Sequence, residues 1–161
     1  MKSIKTGNFY FIKDEFFDKV QDKELLQNKE NGNKRPCYYC FQDNQSDGLF
    51  WFIPVSTKIE KYQKIYDKKA DKYKRVDTIV FGYINRRKSA FLIQNMFPST
   101  MKYIKEEYIK YCETVTVNDD LKKELNSKAN RVLKLVKAGY KQLVFPDVIR
   151  IEKILLEKNK I

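Results

Sequence analysis

The sequence predicts an α+β domain in which a strongly bent antiparallel sheet, or a partly open small barrel, is decorated with helices. Two observations carry this. Aromatic, strand-length runs occur in pairs separated by polar turns, the pattern of β-hairpins, and most of the remaining chain places apolar residues at helical spacing between capping residues. Hairpins followed by helices disfavour a parallel sheet, which would need strands and helices to alternate. A length of 161 residues fits one domain, 1–161.

Phe9-Tyr10-Phe11-Ile12 is the first expected strand, and Phe16, Phe17 and Val20 form one face of a short helix after it. Residues 27–34 are polar and contain Asn28, Asn31, Gly32 and Asn33, so they read as a loop ending at Pro36. Cys37 to Phe41 and Leu49 to Ile53 make a hairpin across the turn-rich linker Asp43 to Gly48. A helix over 59–73 has Ile59, Tyr62, Tyr66, Ala70 and Tyr73 on one side and Lys61, Lys64, Lys68 and Lys72 on a neighbouring side. Thr78 to Tyr83 and Ala90 to Ile93 form a second hairpin around the polar tip Asn85-Arg86-Arg87-Lys88, giving about five strands. Residues 100–112 are expected to be helical, with Tyr103, Ile104, Tyr108 and Tyr111 as the packed face. Asn118 caps a further helix whose first turn carries Asp119 and Asp120, and Gly139 closes it. Pro146 opens the last helix, with Val148, Ile151 and Leu155 inward.

Composition narrows the function. Lys and Arg outnumber Asp and Glu by 33 to 21, a formal charge of +12, and this positive field attracts polyanions, nucleic acid first among them. Eleven Tyr and eleven Phe add stacking surface, which suits single-stranded RNA. A lysine-rich chain that is simply soluble and basic is the plainer reading of the charge. No apolar run approaches the length that spans a bilayer, and Met1-Lys2-Ser3-Ile4-Lys5 leads into no signal-like core, so a cytoplasmic protein without a membrane partner is expected. No GxGxxG pattern occurs, nor GxxxxGK followed by Ser or Thr, which leaves dinucleotide and nucleotide-triphosphate cradles unsupported.

The count of histidine is zero. This removes the Ser-His-Asp triad, the Cys-His pair and the commonest metal ligand together. Cys37 and Cys40 form a CxxC, but with only Cys112 besides they cannot complete a four-ligand Cys/His zinc site, and on a strand they would face opposite ways. They are expected to be packing residues. The acids cluster as Asp14-Glu15-Asp18 and Asp119-Asp120, spacings of a solvated helix face and a helix N-terminus. No metal and no cofactor is expected.

Ser, Thr, Tyr, Lys and Arg remain, and they suffice for cutting RNA, because the substrate brings its own nucleophile in the 2′-hydroxyl. The protein then orients that hydroxyl, stabilises charge on the phosphoryl oxygens and moves two protons. Pro54-Val55-Ser56-Thr57-Lys58 lies where a strand ends and a helix begins, so Ser56 and Thr57 sit by free backbone N–H groups that would seat a phosphate. A plain helix cap is the alternative reading of the same residues. Lys34 and Arg35 form a second cluster: Arg35 has the fork geometry to clamp a phosphate, and crowding by other cations would let Lys34 or Lys58 accept the 2′-hydroxyl proton. Loop charges that are merely solvated remain the alternative. Lys61, Lys64, Lys68 and Lys72, with Arg86, Arg87 and Lys88, are candidate contacts to RNA backbone phosphates, or else a solvated surface.

Several segments carry a family resemblance: Asn33-Lys34-Arg35-Pro36-Cys37, Ile53 to Lys58 followed by Lys61-Tyr62, Thr78 to Gly82, Gln94 to Pro98, and Phe145 to Val148. In this order, over nearly the whole chain, they resemble toxins of type III toxin–antitoxin systems, with most similarity to the CptN (TenpN) branch of the ToxN/AbiQ-like endoribonucleases. The resemblance implies a MazF-like, partly open barrel and a metal-independent endoribonuclease that leaves 2′,3′-cyclic phosphate and 5′-hydroxyl ends on cellular RNA. It implies an antitoxin that is an RNA pseudoknot, cut from a repeat precursor, which fills the active-site groove and assembles toxin subunits into a closed complex. Such systems act in bacteria, in plasmid maintenance or phage defence. Ser56, Thr57 and Lys58 resemble the family's hydroxyl-hydroxyl-x-Lys motif, although Lys58 follows Thr57 directly. Lys34 resembles the family's loop lysine, and Tyr10 its early tyrosine, so Tyr10 and Tyr62 join the candidate RNA contacts. A basic RNA-binding protein without catalysis accounts equally for the charge and the aromatics, but has no need of a hydroxyl pair between cations.

Overall fold

A computed structural model describes residues 3–30, 32–43 and 48–157. Met1, Lys2, Asn31 and the linker residues 44–47 named above lie outside the described residues. The chain is α+β. Strand β1 (Phe9–Ile12) leads into helix α1 (Asp14–Val20), and the two-residue strands β2 (Lys29–Glu30) and β3 (Asn33–Lys34) precede the long pair β4 (Cys37–Asp43) and β5 (Leu49–Ser56). Helix α2 (Ile59–Tyr73) follows, then the hairpin β6 (Val80–Ile84) and β7 (Arg87–Phe91). Short strands β8 (Phe97–Ser99), β9 (Ile104–Glu107), β10 (Ile109–Lys110) and β11 (Glu113–Thr114) lead to helices α3 (Asp119–Lys137) and α4 (Val148–Glu157).

Seven strands form one sheet in the order β6-β7-β5-β4-β1-β9, with β8 also on β5. Each pairing in it is antiparallel, and the path does not close into a barrel. Strand β5 is the hub: β4 pairs with it from Leu49 to Pro54, while its other edge pairs with β8 from Phe50 to Phe52 and, past Pro54, with β7 through Val55 and Ser56. A proline lacks the N–H a ladder needs, so a change of partner is where a buried strand tolerates one.

The sheet is buried on both faces, which its run of apolar residues allows. Along β5, Trp51, Ile53 and Val55 enter one core with α3, whereas Leu49 and Phe52 enter the other with α1 and α4. Cys37 and Cys40 likewise fall on opposite sides, as period two requires, and burial pushes the Cys37 thiol up to about 12 despite the opposing charge of Arg35. Both are free. Cys40 is the extra residue of a bulge, since Tyr39 and Phe41 oppose the adjacent Phe52 and Trp51. Helix α2 covers a third, smaller cluster of Tyr62, Val76, Ile79, Ala90 and Leu92. Among the described residues no helix is long and apolar enough to cross a membrane.

The expected helix over 100–112 is absent. A single 3-10 turn, Met101–Tyr103, leads into β9, which pairs antiparallel with β1, and a tight β10–β11 hairpin follows. Without β9 the strand β1 would be an open edge, and that tertiary pairing outweighs a helical spacing of tyrosines. Tyr103 is buried while Tyr111 is exposed, so the expected face does not exist. The second hairpin is also shifted: the turn is Asn85-Arg86, and Arg87 and Lys88 belong to β7. Asn118 does cap α3, accepting from the Leu121 N–H at 2.8 Å, and Gly139 takes a positive φ of 114° after its end.

Gly82 is required by packing. A Cβ there would land on both δ-methyls of Leu121, which is buried where α3 crosses β6. Gly82→Ala is therefore expected to destabilise the fold by about 1–3 kcal/mol through overpacking. A thermal melt lowered by roughly 2–4 °C per kcal/mol would register it, and an unchanged melting temperature would show that α3 can move aside.

Candidate active site

At the C-terminal end of β5, the buried Ser56 and the partly buried Thr57 meet a residue that the local sequence pattern did not single out, Glu30 of β2. The Ser56 hydroxyl donates to Glu30 Oε2 at 2.7 Å. The Thr57 hydroxyl and backbone N–H donate to Glu30 Oε1 at 2.8 and 3.0 Å. Arg35, 7% exposed, completes the set with a 2.8 Å ion pair from Nη1 to Oε2. The same Nη1 also donates to the Val55 carbonyl, and Nε donates to the Gln27 carbonyl, each at 2.9 Å. The loop itself is anchored, since the Asn28 side chain donates to the Ile12 carbonyl and to Asp14.

The electrostatics follow from this geometry. Burial raises the Glu30 carboxyl, but the Ser56 hydroxyl, the Thr57 N–H, the Thr57 hydroxyl and the Arg35 charge together outweigh it and hold the group at about 2. Glu30 is thus an anion at neutral pH and a poor proton acceptor. Two hydroxyls, one backbone N–H and one guanidinium converge on a single negative group, the donor set that a phosphate also requires. The plain helix-cap reading is not realised. The residue before α2 is Lys58, with no side-chain cap, and both hydroxyls point to Glu30. Ser56 Oγ also accepts from the Lys58 N–H at 3.1 Å.

This knot forms one wall of an open groove of about 520 Å³ that is also lined by Lys34, Arg87, Lys110, Phe11 and Tyr108. Lys34 is exposed, 3.9 Å from Glu106. The ammonium of Lys105 beside it pushes Lys34 below the ordinary lysine value, with Glu106 and Asp14 pulling the other way. Among the described residues no three His, Cys, Asp or Glu side chains cluster in a way that could hold a metal ion.

The remaining sequence-predicted residues are dispersed. Arg35 lines the groove, with Nε and Nη1 engaged by Glu30 and two carbonyls, so any hold on a phosphate falls to its Nη2. Tyr10 is 1% exposed, packed edge-on against Phe52, and its oxygen accepts from the Lys5 N–H; its ring has no open face for a base. Tyr62 is buried in the cluster beneath α2 for the same reason. Lys58, Lys61, Lys64, Lys68 and Lys72 are exposed along α2. Arg86 borders the outer part of the groove, whereas Lys88 lies 5.3 Å over the Phe81 ring, on the opposite face of β7 from Arg87. Glu30 escaped sequence reasoning because its hydroxyl partners lie 26 and 27 residues away. The signal available was a solitary acid in a polar loop just ahead of Arg35 and the Pro36 strand entry.

No protein-family model and no curated protein matches the sequence. Solved structures match the fold over nearly the full chain. One, from work on bacterial type III toxin–antitoxin systems in which a non-coding RNA pseudoknot selectively inhibits the toxin, aligns with a TM-score of 0.70 at 19% identity, covering 98% of this chain and all of that one. A second is AbiQ, a lactococcal anti-phage endoribonuclease of a type III system, with a TM-score of 0.71 at 16% identity over 97% of this chain and 100% of AbiQ. A third, from a bacterial antiviral system regulated by a processed non-coding RNA, gives 0.65 at 11% identity over 95% and 99%. These identities establish a shared fold.

Proposed function

We propose that this chain is the endoribonuclease toxin of a bacterial type III toxin–antitoxin system, cutting RNA without a metal by attack of the 2′-hydroxyl. The observation that carries this reading is the convergence of Ser56, Thr57 and Arg35 on one anion at the wall of a cationic groove. The fold likeness to toxins of that class supports it.

In the reaction, the scissile phosphate takes the donors that Glu30 now occupies, and Glu30 gives way or shares them. The 2′-oxygen attacks phosphorus in line, and Lys34, whose depressed basicity leaves more of it neutral, accepts the 2′-hydroxyl proton. Ser56, Thr57 and the cations offset charge on the phosphoryl oxygens. The bond to the 5′-oxygen breaks and that oxygen takes a proton from Lys58, leaving 2′,3′-cyclic phosphate and 5′-hydroxyl ends. The antitoxin is an RNA pseudoknot that the toxin processes from a repeat precursor and that then fills the groove, joining toxin subunits into a closed cytoplasmic complex that serves phage defence. The MazF-like, partly open barrel belongs to the same reading, supported by the partner change of β5 at Pro54.

One observation favours a second reading. The Glu30 knot satisfies its own hydrogen bonds, as a purely structural lock would, in a basic RNA-binding protein without catalysis. Incubating the purified protein with RNA in excess EDTA separates the two. Cleavage that persists, with a DNA copy of the oligonucleotide left intact, is the expected result. RNA that is bound but never cut would leave the binding protein, and cleavage abolished by EDTA would remove metal independence.

A further inference from the structure

The groove beside Thr57 does not end at Lys110. A second depression shares Ile84, Asn85, Arg87 and Lys110 with it and continues past Arg86 to Tyr111, at the tip of the β10–β11 hairpin. Strand pairing of Lys110 with Glu113 leaves Tyr111 and Cys112 as the whole turn, and both have positive φ, 53° and 61°. That turn geometry favours Asn-Gly, and L-residues with larger side chains adopt it at a cost. Tyr111 nevertheless stands there 87% exposed and belongs to none of the buried clusters, so packing does not account for it. The Lys110 ammonium lies 5.6 Å from the centre of its ring, and the exposure of the side chain leaves further ring surface open to solvent.

We propose that Tyr111 is a stacking site for a nucleobase of single-stranded RNA, at the outer end of the groove that Thr57 and Glu30 line. The chemistry is that of known single-strand binding in general: cations track the phosphates while an exposed ring takes a base without reading its identity. Arg86, Arg87 and Lys110 supply the cations against Glu113 on this outer wall. Bound there, one nucleotide anchors the strand away from the cut site. The inference rests on the RNA reading of the groove but not on cleavage.

The test measures the affinity of a fluorescent single-stranded RNA for the Thr57→Ala protein, so that cutting does not interfere, with and without changes at the tip. Tyr111→Ala is expected to weaken binding between about 5- and 150-fold, and Tyr111→Phe or Tyr111→Trp to stay within about threefold. The double change Tyr111→Asn with Cys112→Gly relieves the turn while removing the ring, so it must weaken binding as Tyr111→Ala does. Binding of that double variant within twofold of the parent would overturn the proposal, whatever Tyr111→Ala does to folding. RNA captured through Tyr111 by a protein with Thr57 intact that cuts nothing would instead overturn the endoribonuclease reading and leave this site standing. Cleavage and binding both unaffected by the tip would do the reverse.

Discussion

Glu30→Ala is expected to lower the unfolding free energy by about 3–5 kcal/mol, because it leaves the Arg35 guanidinium buried without its counter-charge. The carboxyl's own titration gives a similar magnitude. A shift from 4.5 to about 2 corresponds to roughly 3 kcal/mol, at about 1.4 kcal/mol per unit. Its sign follows from proton counting. Between these two values the unfolded chain binds the proton that the folded one refuses, so stability rises with pH. The contribution is full above about pH 5 and is lost as pH falls through about 2. Glu30→Gln keeps one acceptor oxygen but no charge, and should lie between alanine and the parent at pH 7. It should also lack the parent's loss of stability between pH 5 and 2. Urea unfolding of the three proteins at pH 7 and pH 3 measures this, and a Glu30→Ala protein within about 1 kcal/mol of the parent at pH 7 would show that Arg35 finds water instead.

The second large effect is kinetic. Under the proposed mechanism Thr57→Ala and Ser56→Ala should each lower RNA cleavage by about 10²–10³, the loss seen when one preorganised donor to a developing oxyanion is removed. The double variant should cost less than the product of the two, since both act on one phosphate. Each change also takes a hydrogen bond from Glu30, which costs about 1.5–3 kcal/mol of stability for a charged acceptor, so fold and rate must be read separately. Thr57→Ser restores the hydroxyl and should recover most of the rate. A folded Thr57→Ala protein that cuts RNA at the parent rate would remove Thr57 from the chemistry and leave it as a structural partner of Glu30.

The structural role and the proposed catalytic one are compatible because the knot is preformed. A donor set held by a carboxylate before substrate arrives needs little reorganisation to hold a phosphate. Under that proposal its weakness is competition from Glu30 itself, which makes the groove's cations necessary for an incoming phosphate to win. Arg35, buried beside Glu30, holds that carboxylate through Nη1.

Much of this was legible in the chain itself. Aromatic, strand-length runs marked β1, β4 and β5, and a capping asparagine marked α3, while the missing histidines and the charge of +12 set the expectation of hydroxyl and cation chemistry. The turn Ser56-Thr57-Lys58 was visible because it closes a strand and opens a helix, both of which are local signals. Where the signal depended on distant partners, sequence failed. The tyrosines of 100–112 suited a helix until the open edge of β1 claimed Ile104 and Glu106 for a strand. Tyr10 and Tyr62 looked like RNA contacts, and only the stacking of layers showed that both are core. Glu30 had no spacing to betray it. A hydrogen bond acts over about 3 Å and is indifferent to sequence separation, so the anion that organises Ser56, Thr57 and Arg35 emerged only when the chain had folded back upon itself.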